Sequence, residues 1–131
     1  MLPQSGGTPE ERVILVVDDE AFVRDLVHHV LQAAGFVILS AADGEQALHV
    51  SRTFPRTIHL LVSDVVMPKL DGIALREQIL RERPSIKVLL MSGTIEHRLE
   101  GLEFLPKPFK VEALRERVLK LLPPASTGAH V

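Results

Sequence analysis

The sequence predicts an α/β domain: a five-stranded parallel sheet with helices on both faces. Three observations carry that reading. Short, mostly apolar runs occur at 13–17, 36–41, 59–64 and 87–92, the first of them unbroken, as expected of a strand covered on both faces. Between them lie segments whose apolar residues recur with the helical period. The two patterns alternate five times over short connections, which calls for right-handed βαβ crossovers and a parallel sheet.

Taken in order, "VILVV" (13–17) is rich in β-branched residues and reads as the first strand. Val23, Leu26, Val27, Val30, Leu31 and Ala34 then form one apolar stripe, and Gly35 stands where a helix ends. "FVILSA" (36–41) is the second strand, and Asp43 is placed to cap a short helix over 44–53. "HLLVSD" (59–64) is the third strand. "GIALREQILRER" (72–83) is a helix started by Asp71-Gly72 and stopped by Pro84. "KVLLMS" (87–92) is the fourth strand, and a brief fifth surrounds "EFLP" (103–106). The last helix, over about 109–122, buries Val111, Leu114, Val118 and Leu121. For this length the flavodoxin-like strand order 2-1-3-4-5 fits, and its crevice lies beyond the carboxyl ends of strands 1 and 3.

Composition narrows the function. With 131 residues the chain supports one domain, expected over 12–122, between a Gly- and Pro-rich lead-in (1–11) and a Pro-stopped tail (123–131). Fifteen Lys and Arg against 17 Asp and Glu give a net charge of −2, which offers no basic excess for nucleic acid. The absence of cysteine excludes disulfides, thiol catalysis and thiolate metal sites. The opening "MLPQSGGTPEER" lacks the features of a signal peptide, and no apolar run is long enough to span a bilayer. A soluble cytoplasmic domain is expected.

The strand ends carry the chemistry. Strand 1 ends in Asp18, Asp19 and Glu20, and strand 3 ends in Asp64. As neighbours, these strands would lie about 4.8 Å apart. Two carboxylates about 4 Å apart repel by roughly 4 kcal/mol at an effective dielectric near 20, so such a cluster implies a cation. All-oxygen ligands without His or Cys select a hard ion, Mg²⁺ or Mn²⁺. Strand 4 ends in Ser92-Gly93, and Lys107 follows strand 5. Acids, a divalent ion, a hydroxyl and an ammonium are the equipment of phosphoryl transfer, with one aspartate as nucleophile yielding an acyl phosphate.

"VDDE" (17–20), "SDVVMPKLDG" (63–72), "MSG" (91–93) and "FLPKPF" (104–109) together resemble the receiver domain of two-component response regulators, in the order and on the strands the family uses. The resemblance covers about 12–122. It implies that Asp64 accepts a phosphoryl group from a histidine kinase or a histidine phosphotransfer protein. It further implies that Asp18 and Asp19, with Asp64 and the backbone carbonyl of Val66, hold Mg²⁺. Ser92 takes the hydroxyl switch position, Phe104 the aromatic switch position, and Lys107 pairs with the phosphate across a cis Lys107-Pro108 bond. Val66 and Thr94 fall where the family tunes phosphate lifetime. The implied partners are the phosphodonor and a downstream protein or second copy, with no direct contact to nucleic acid or membrane.

One departure stands out. Only the eleven residues "GTIEHRLEGLE" connect Ser92 to Phe104, so the fourth helix is expected to shrink to a turn or two using Ile95, Leu99 and Leu102. In the family that helix helps form the signalling face. Rival readings were weighed on the same residues. An Mg²⁺-dependent aspartyl phosphatase wants a second acid two residues after the nucleophile, where Val66 stands. A flavin- or nucleotide-binding module wants a Gly-rich first turn, not "DDEAFV". The alternative of a degenerate receiver serving as a constitutive docking module runs against the complete acid, hydroxyl and lysine set, while the shortened fourth helix favours it. The domain is expected to catalyse only its own phosphorylation and dephosphorylation. The six histidines show no ligand spacing and are expected at the surface.

Overall fold

A computed structural model describes residues 11–94 and 96–123. Five parallel strands form one sheet in the order β2-β1-β3-β4-β5. In chain order the elements are β1 (Val13–Val17), α1 (Ala21–Ala33), β2 (Val37–Ala41), α2 (Gly44–Thr53), β3 (Leu60–Asp64), α3 (Gly72–Glu82), β4 (Lys87–Ser92), a single 3-10 turn (His97–Leu99), β5 (Phe104–Pro106) and α4 (Val111–Leu121). The expected strand order and helix count hold, and no helix among the described residues is long and apolar enough to cross a membrane.

Alternation along the central strands sorts the core into two layers. Ile14, Val16, Leu60 and Val62 face α1 and α4, meeting Val27, Leu31, Leu114 and Val118. Val13, Leu15, Val17 and Leu61 face the other way, against Ala47 and Leu48 of α2 and Leu75 and Ile79 of α3. Every residue of β1 and β3 is buried, which is why both read as mostly apolar runs. Each such Leu, Ile or Val contributes roughly 1.5–3 kcal/mol by leaving water.

Helix ends follow local chemistry. Asp43 caps α2 by accepting from the Gln46 amide at 2.8 Å, and Asp71 caps α3 through Ala74 at 2.9 Å. Gly35, at φ +103°, ends α1: its amide donates to Gln32 and that of Phe36 to Leu31, the paired bonds of a Schellman turn.

The β4–β5 connection is as short as expected, at most a turn or two of helix. It contains one 3-10 turn, with Leu99 buried against Val65, Ile73 and Leu90. Leu102 packs at the margin of that cluster. Ile95 lies outside the described residues. The last helix runs Val111–Leu121 after the N-cap Lys110, within the expected span, and the Lys107-Pro108 bond is cis. Two of the histidines are not plain surface residues: His28 pairs with the Ser40 hydroxyl at 3.0 Å, and the His59 ring accepts the Val13 amide at 3.0 Å.

Candidate functional site

The carboxyl ends of β1 and β3 bring Asp18, Asp19 and Asp64 together. One carboxylate oxygen from each lies within 4.8 Å of the others. Asp18 is fully buried and Asp64 nearly so, whereas Asp19 is exposed. Neither Asp18 nor Asp19 caps α1, whose N-cap is Glu20 without a side-chain bond. Asp18 instead folds its first turn by accepting the Glu20 amide at 2.9 Å with Oδ1, leaving Oδ2 for the crevice.

Lys107 enters this group from the end of β5. Its Nζ donates to Asp18 Oδ2 at 3.0 Å, lies 3.3 Å from Asp64 Oδ1, and approaches Glu20 at 3.8 Å. The backbone holds it there, because its amide donates to the Ser92 carbonyl at 2.7 Å. The clustered carboxylates outnumber the one ammonium, and the protonation of the group reflects it. Burial first, then the Asp18 charge and that of Asp19, push the Asp64 carboxyl above its ordinary value despite Lys107. Burial alone would lower the Lys107 ammonium, but its bonds and attraction to Asp18 and Asp64 together raise it.

Of the remaining expected residues, Ser92 is buried at the end of β4. Its hydroxyl is engaged locally, donating to the Thr94 carbonyl at 2.6 Å and accepting the Thr94 amide at 3.2 Å. No bond among the described residues joins that hydroxyl to Asp64 or Lys107. Phe104 is half-buried, pairs with Leu90 across the β4–β5 register and packs with Val65, Ile73 and Leu99. Val66 presents its side chain to solvent, 64% exposed, just beyond Asp64.

Sequence reasoning missed three supports of the site. Arg24, one turn into α1, donates to the Asp18 carbonyl at 2.8 Å; a cation near the start of a helix that follows three acids was the available signal. The buried Ser63 hydroxyl donates to the Asp64 carbonyl at 2.9 Å. Gly72 matters through space, not φ: a Cβ there would collide with the Asp64 carbonyl oxygen and come within 3.0 Å of Val65 Cα. Its amide donates to the Val65 carbonyl at 2.8 Å, so α3 begins packed against the backbone that presents Asp64.

This arrangement has clear relatives. The response regulator receiver domain model matches residues 14–119. The chain is 34% identical over 121 residues to the probable transcriptional regulator ycf27 of Porphyridium aerugineum, covering 86% of this chain and 49% of that protein. It is also 34% identical over 116 residues to the sensor kinase CckA of Brucella abortus, covering 83% of this chain and 12% of the kinase. Response regulator TrrA from Thermotoga maritima, solved in complex with Mg²⁺ and BeF, superposes with a TM-score of 0.75 at 30% identity, covering 85% of this chain and 99% of that one. The chain spans about half the length of the first regulator named, and a small part of the kinase. A matched family model over most of the chain, on a sheet of order 2-1-3-4-5 with its acids clustered at the switch point, makes this a response regulator receiver domain, the phosphoacceptor signalling domain of two-component systems.

Proposed function

We propose that Asp64 is the phosphoacceptor and that Asp18, Asp19, Asp64 and the Val66 carbonyl hold Mg²⁺, with Mn²⁺ able to substitute. The observation that carries this is the excess of negative charge at the crevice: three carboxylates within 4.8 Å of one another, with Glu20 beside them, against one ammonium. A divalent cation matches that residue of charge, and the all-oxygen donor set suits a hard one. When bound, the ion would neutralise phosphoryl oxygens and hold them against Asp64.

Asp64 Oδ forms the new bond to phosphorus as the donor's phosphorus–nitrogen bond breaks. The imidazole of the donor histidine leaves with that electron pair and takes up a proton. Lys107, already within reach of Asp64, supplies a positive charge to the transferred oxygens. Ser92 and Phe104 are the switch pair. For Ser92 this means exchanging its bond to the Thr94 carbonyl for a phosphoryl oxygen. Phe104, without a hydroxyl, responds through packing against Leu90 and Leu99. The exposed apolar Val66 side chain cannot orient an attacking water.

Residues 12–122 act as the receiver unit, with 1–11 a lead-in and 123–131 a linker or tail. The phosphodonor is a histidine kinase or histidine phosphotransfer protein in the cytoplasm, and output passes to a downstream protein. Beyond phosphorylating and dephosphorylating itself, the domain turns over no substrate.

Acetyl phosphate with Mg²⁺ should add one phosphoryl group by intact mass. Asp64→Asn should abolish the addition, and EDTA should prevent it in the unaltered chain. Labelling that persists in Asp64→Asn would overturn the assignment.

A further inference from the structure

Opposite the carboxylates, the strands begin in a row of cations. Arg12 immediately precedes β1, His59 immediately precedes β3, and Lys87 opens β4. These three strands are neighbours, so side chains from distant parts of the chain share one rim of the sheet. They line a cavity of about 340 Å³, to which Thr57 and Ser85 add hydroxyls and Leu121 and Pro123 apolar surface. Among the described residues no carboxylate lines it. Among the described residues neither Arg12 nor Lys87 has an ion-pair partner. The adjacent acid, Glu11, approaches Arg56 instead, at 3.9 Å.

The rim is held firmly. The His59 amide donates to Val13 at 2.8 Å, and its carbonyl accepts from Lys87 at 3.1 Å. Its ring accepts the Val13 amide at Nδ1, so the neutral imidazole carries its proton on Nε2 and that nitrogen is a donor. Burial and the nearby Arg12 charge hold the imidazole below its ordinary pKa, which keeps it in this donor form at neutral pH.

We propose that this rim binds a small organic phosphate. The Arg12 guanidinium, the Lys87 ammonium and the His59 Nε2–H would gather the phosphoryl oxygens, and the wall formed by Leu121 and Pro123 would receive the organic body. A phosphate monoester carries about two negative charges at neutral pH and three acceptor oxygens. Two permanent cations and a fixed neutral donor answer both counts, whereas a carboxylate offers one charge and two oxygens. The volume is at the small end of ligand cavities, enough for a mononucleotide-sized anion and too little for a larger cofactor. The site is separate from the Asp64 crevice and does not depend on its chemistry.

The test follows backbone amide shifts of the full chain on adding AMP, adenosine or inorganic phosphate. AMP should give saturable shifts at Arg12, Thr57, His59, Lys87 and Leu122, adenosine none there, and inorganic phosphate weaker ones. Arg12→Gln with Lys87→Gln should weaken AMP binding by about tenfold or more. Lys87→Gln alone, at an exposed position, should weaken it by less. Both variants should keep the unaltered thermal midpoint and acetyl phosphate labelling. Three results would each overturn the proposal: no saturable shift with AMP, equal shifts with adenosine, or undiminished AMP binding in the double variant. Inorganic phosphate binding as tightly as AMP would remove the organic body from the ligand.

Discussion

Asp64 is the residue at which stability and chemistry conflict. Its carboxyl is pushed above the ordinary value of 3.8 by burial and by Asp18. A raised acid binds more protons folded than unfolded, so its ionised form destabilises the fold at neutral pH, and stability is gained as pH falls through the folded value. Asp64→Asn should therefore raise the urea midpoint measured in EDTA at pH 7. Mg²⁺ should raise the midpoint of the unaltered chain, by about 2.7 kcal/mol at a hundredfold excess over its dissociation constant, and the Asn variant much less. A lower midpoint for Asp64→Asn in EDTA would contradict the repulsion argument.

His59 works in the opposite sense. Its imidazole is held below its ordinary 6.5 by burial and by Arg12, and it must stay unprotonated at Nδ1 to accept the Val13 amide. A base with a lowered folded value binds fewer protons folded than unfolded. Stability is therefore full above about 6.5 and is lost as pH falls below it, toward the folded value. Denaturation midpoints taken from pH 7.5 to 5 should fall more steeply for the native chain than for His59→Gln. Parallel slopes would show that the ring does not titrate with unfolding.

At the scale of elements, the connection from α2 to β3 depends on one side chain that sequence reading passed over. Arg83, at the end of α3, donates to the Ser51 hydroxyl at 2.9 Å and to the carbonyls of Ser51, Phe54 and Arg56 at 2.7, 3.0 and 2.9 Å. It satisfies the carbonyls that a helix C-terminus leaves open. Arg83→Ala should cost about 2 kcal/mol in chemical denaturation, and Arg83→Lys should recover little, because an ammonium cannot span that fan of acceptors. Full rescue by lysine would reduce the interaction to charge alone. The β4–β5 connection shows a comparable economy. Where a helix would bury a face, Leu99 supplies the packing and Arg98 reaches Asp71, the cap of α3, at 2.9 Å. Burial pushes the Asp71 carboxyl upward, but the Ala74 amide and Arg98 together hold it below its ordinary value.

At the scale of the molecule, the two ends of one sheet carry opposite charge: carboxylates at the carboxyl ends of β1 and β3, cations at the amino ends of β1 and β4 on either side of the neutral His59 ring. The edge beside β5 is slight. That strand has three residues, and only α4 flanks it as a full helix. A stable pairing of two chains buries about 800 Å² on each partner, which this edge is poorly equipped to supply. Phosphorylation with acetyl phosphate and Mg²⁺ should thus leave the mass by light scattering unchanged. A doubling would show that β5 and α4 suffice as an interface.

Strand and helix periodicity, capping aspartates and Gly35 were legible because each depends on neighbours a few positions away in the chain. The placement of Asp64 and Lys107 was legible for a related reason: parallel topology forces the ends of successive strands to one side. What distant segments do to each other was not. Gly72 looked like a turn residue, yet its missing side chain makes room for the Asp64 carbonyl; Arg24, Ser63 and Arg83 looked like ordinary polar positions, yet each satisfies a particular backbone carbonyl, Arg83 doing so across a tertiary contact. The partner of the Ser92 hydroxyl in this structure, the Thr94 carbonyl, was likewise not legible in the chain. Periodicity reports which face of an element is buried, whereas the partner a polar atom finds is set by how the packed elements are placed in space.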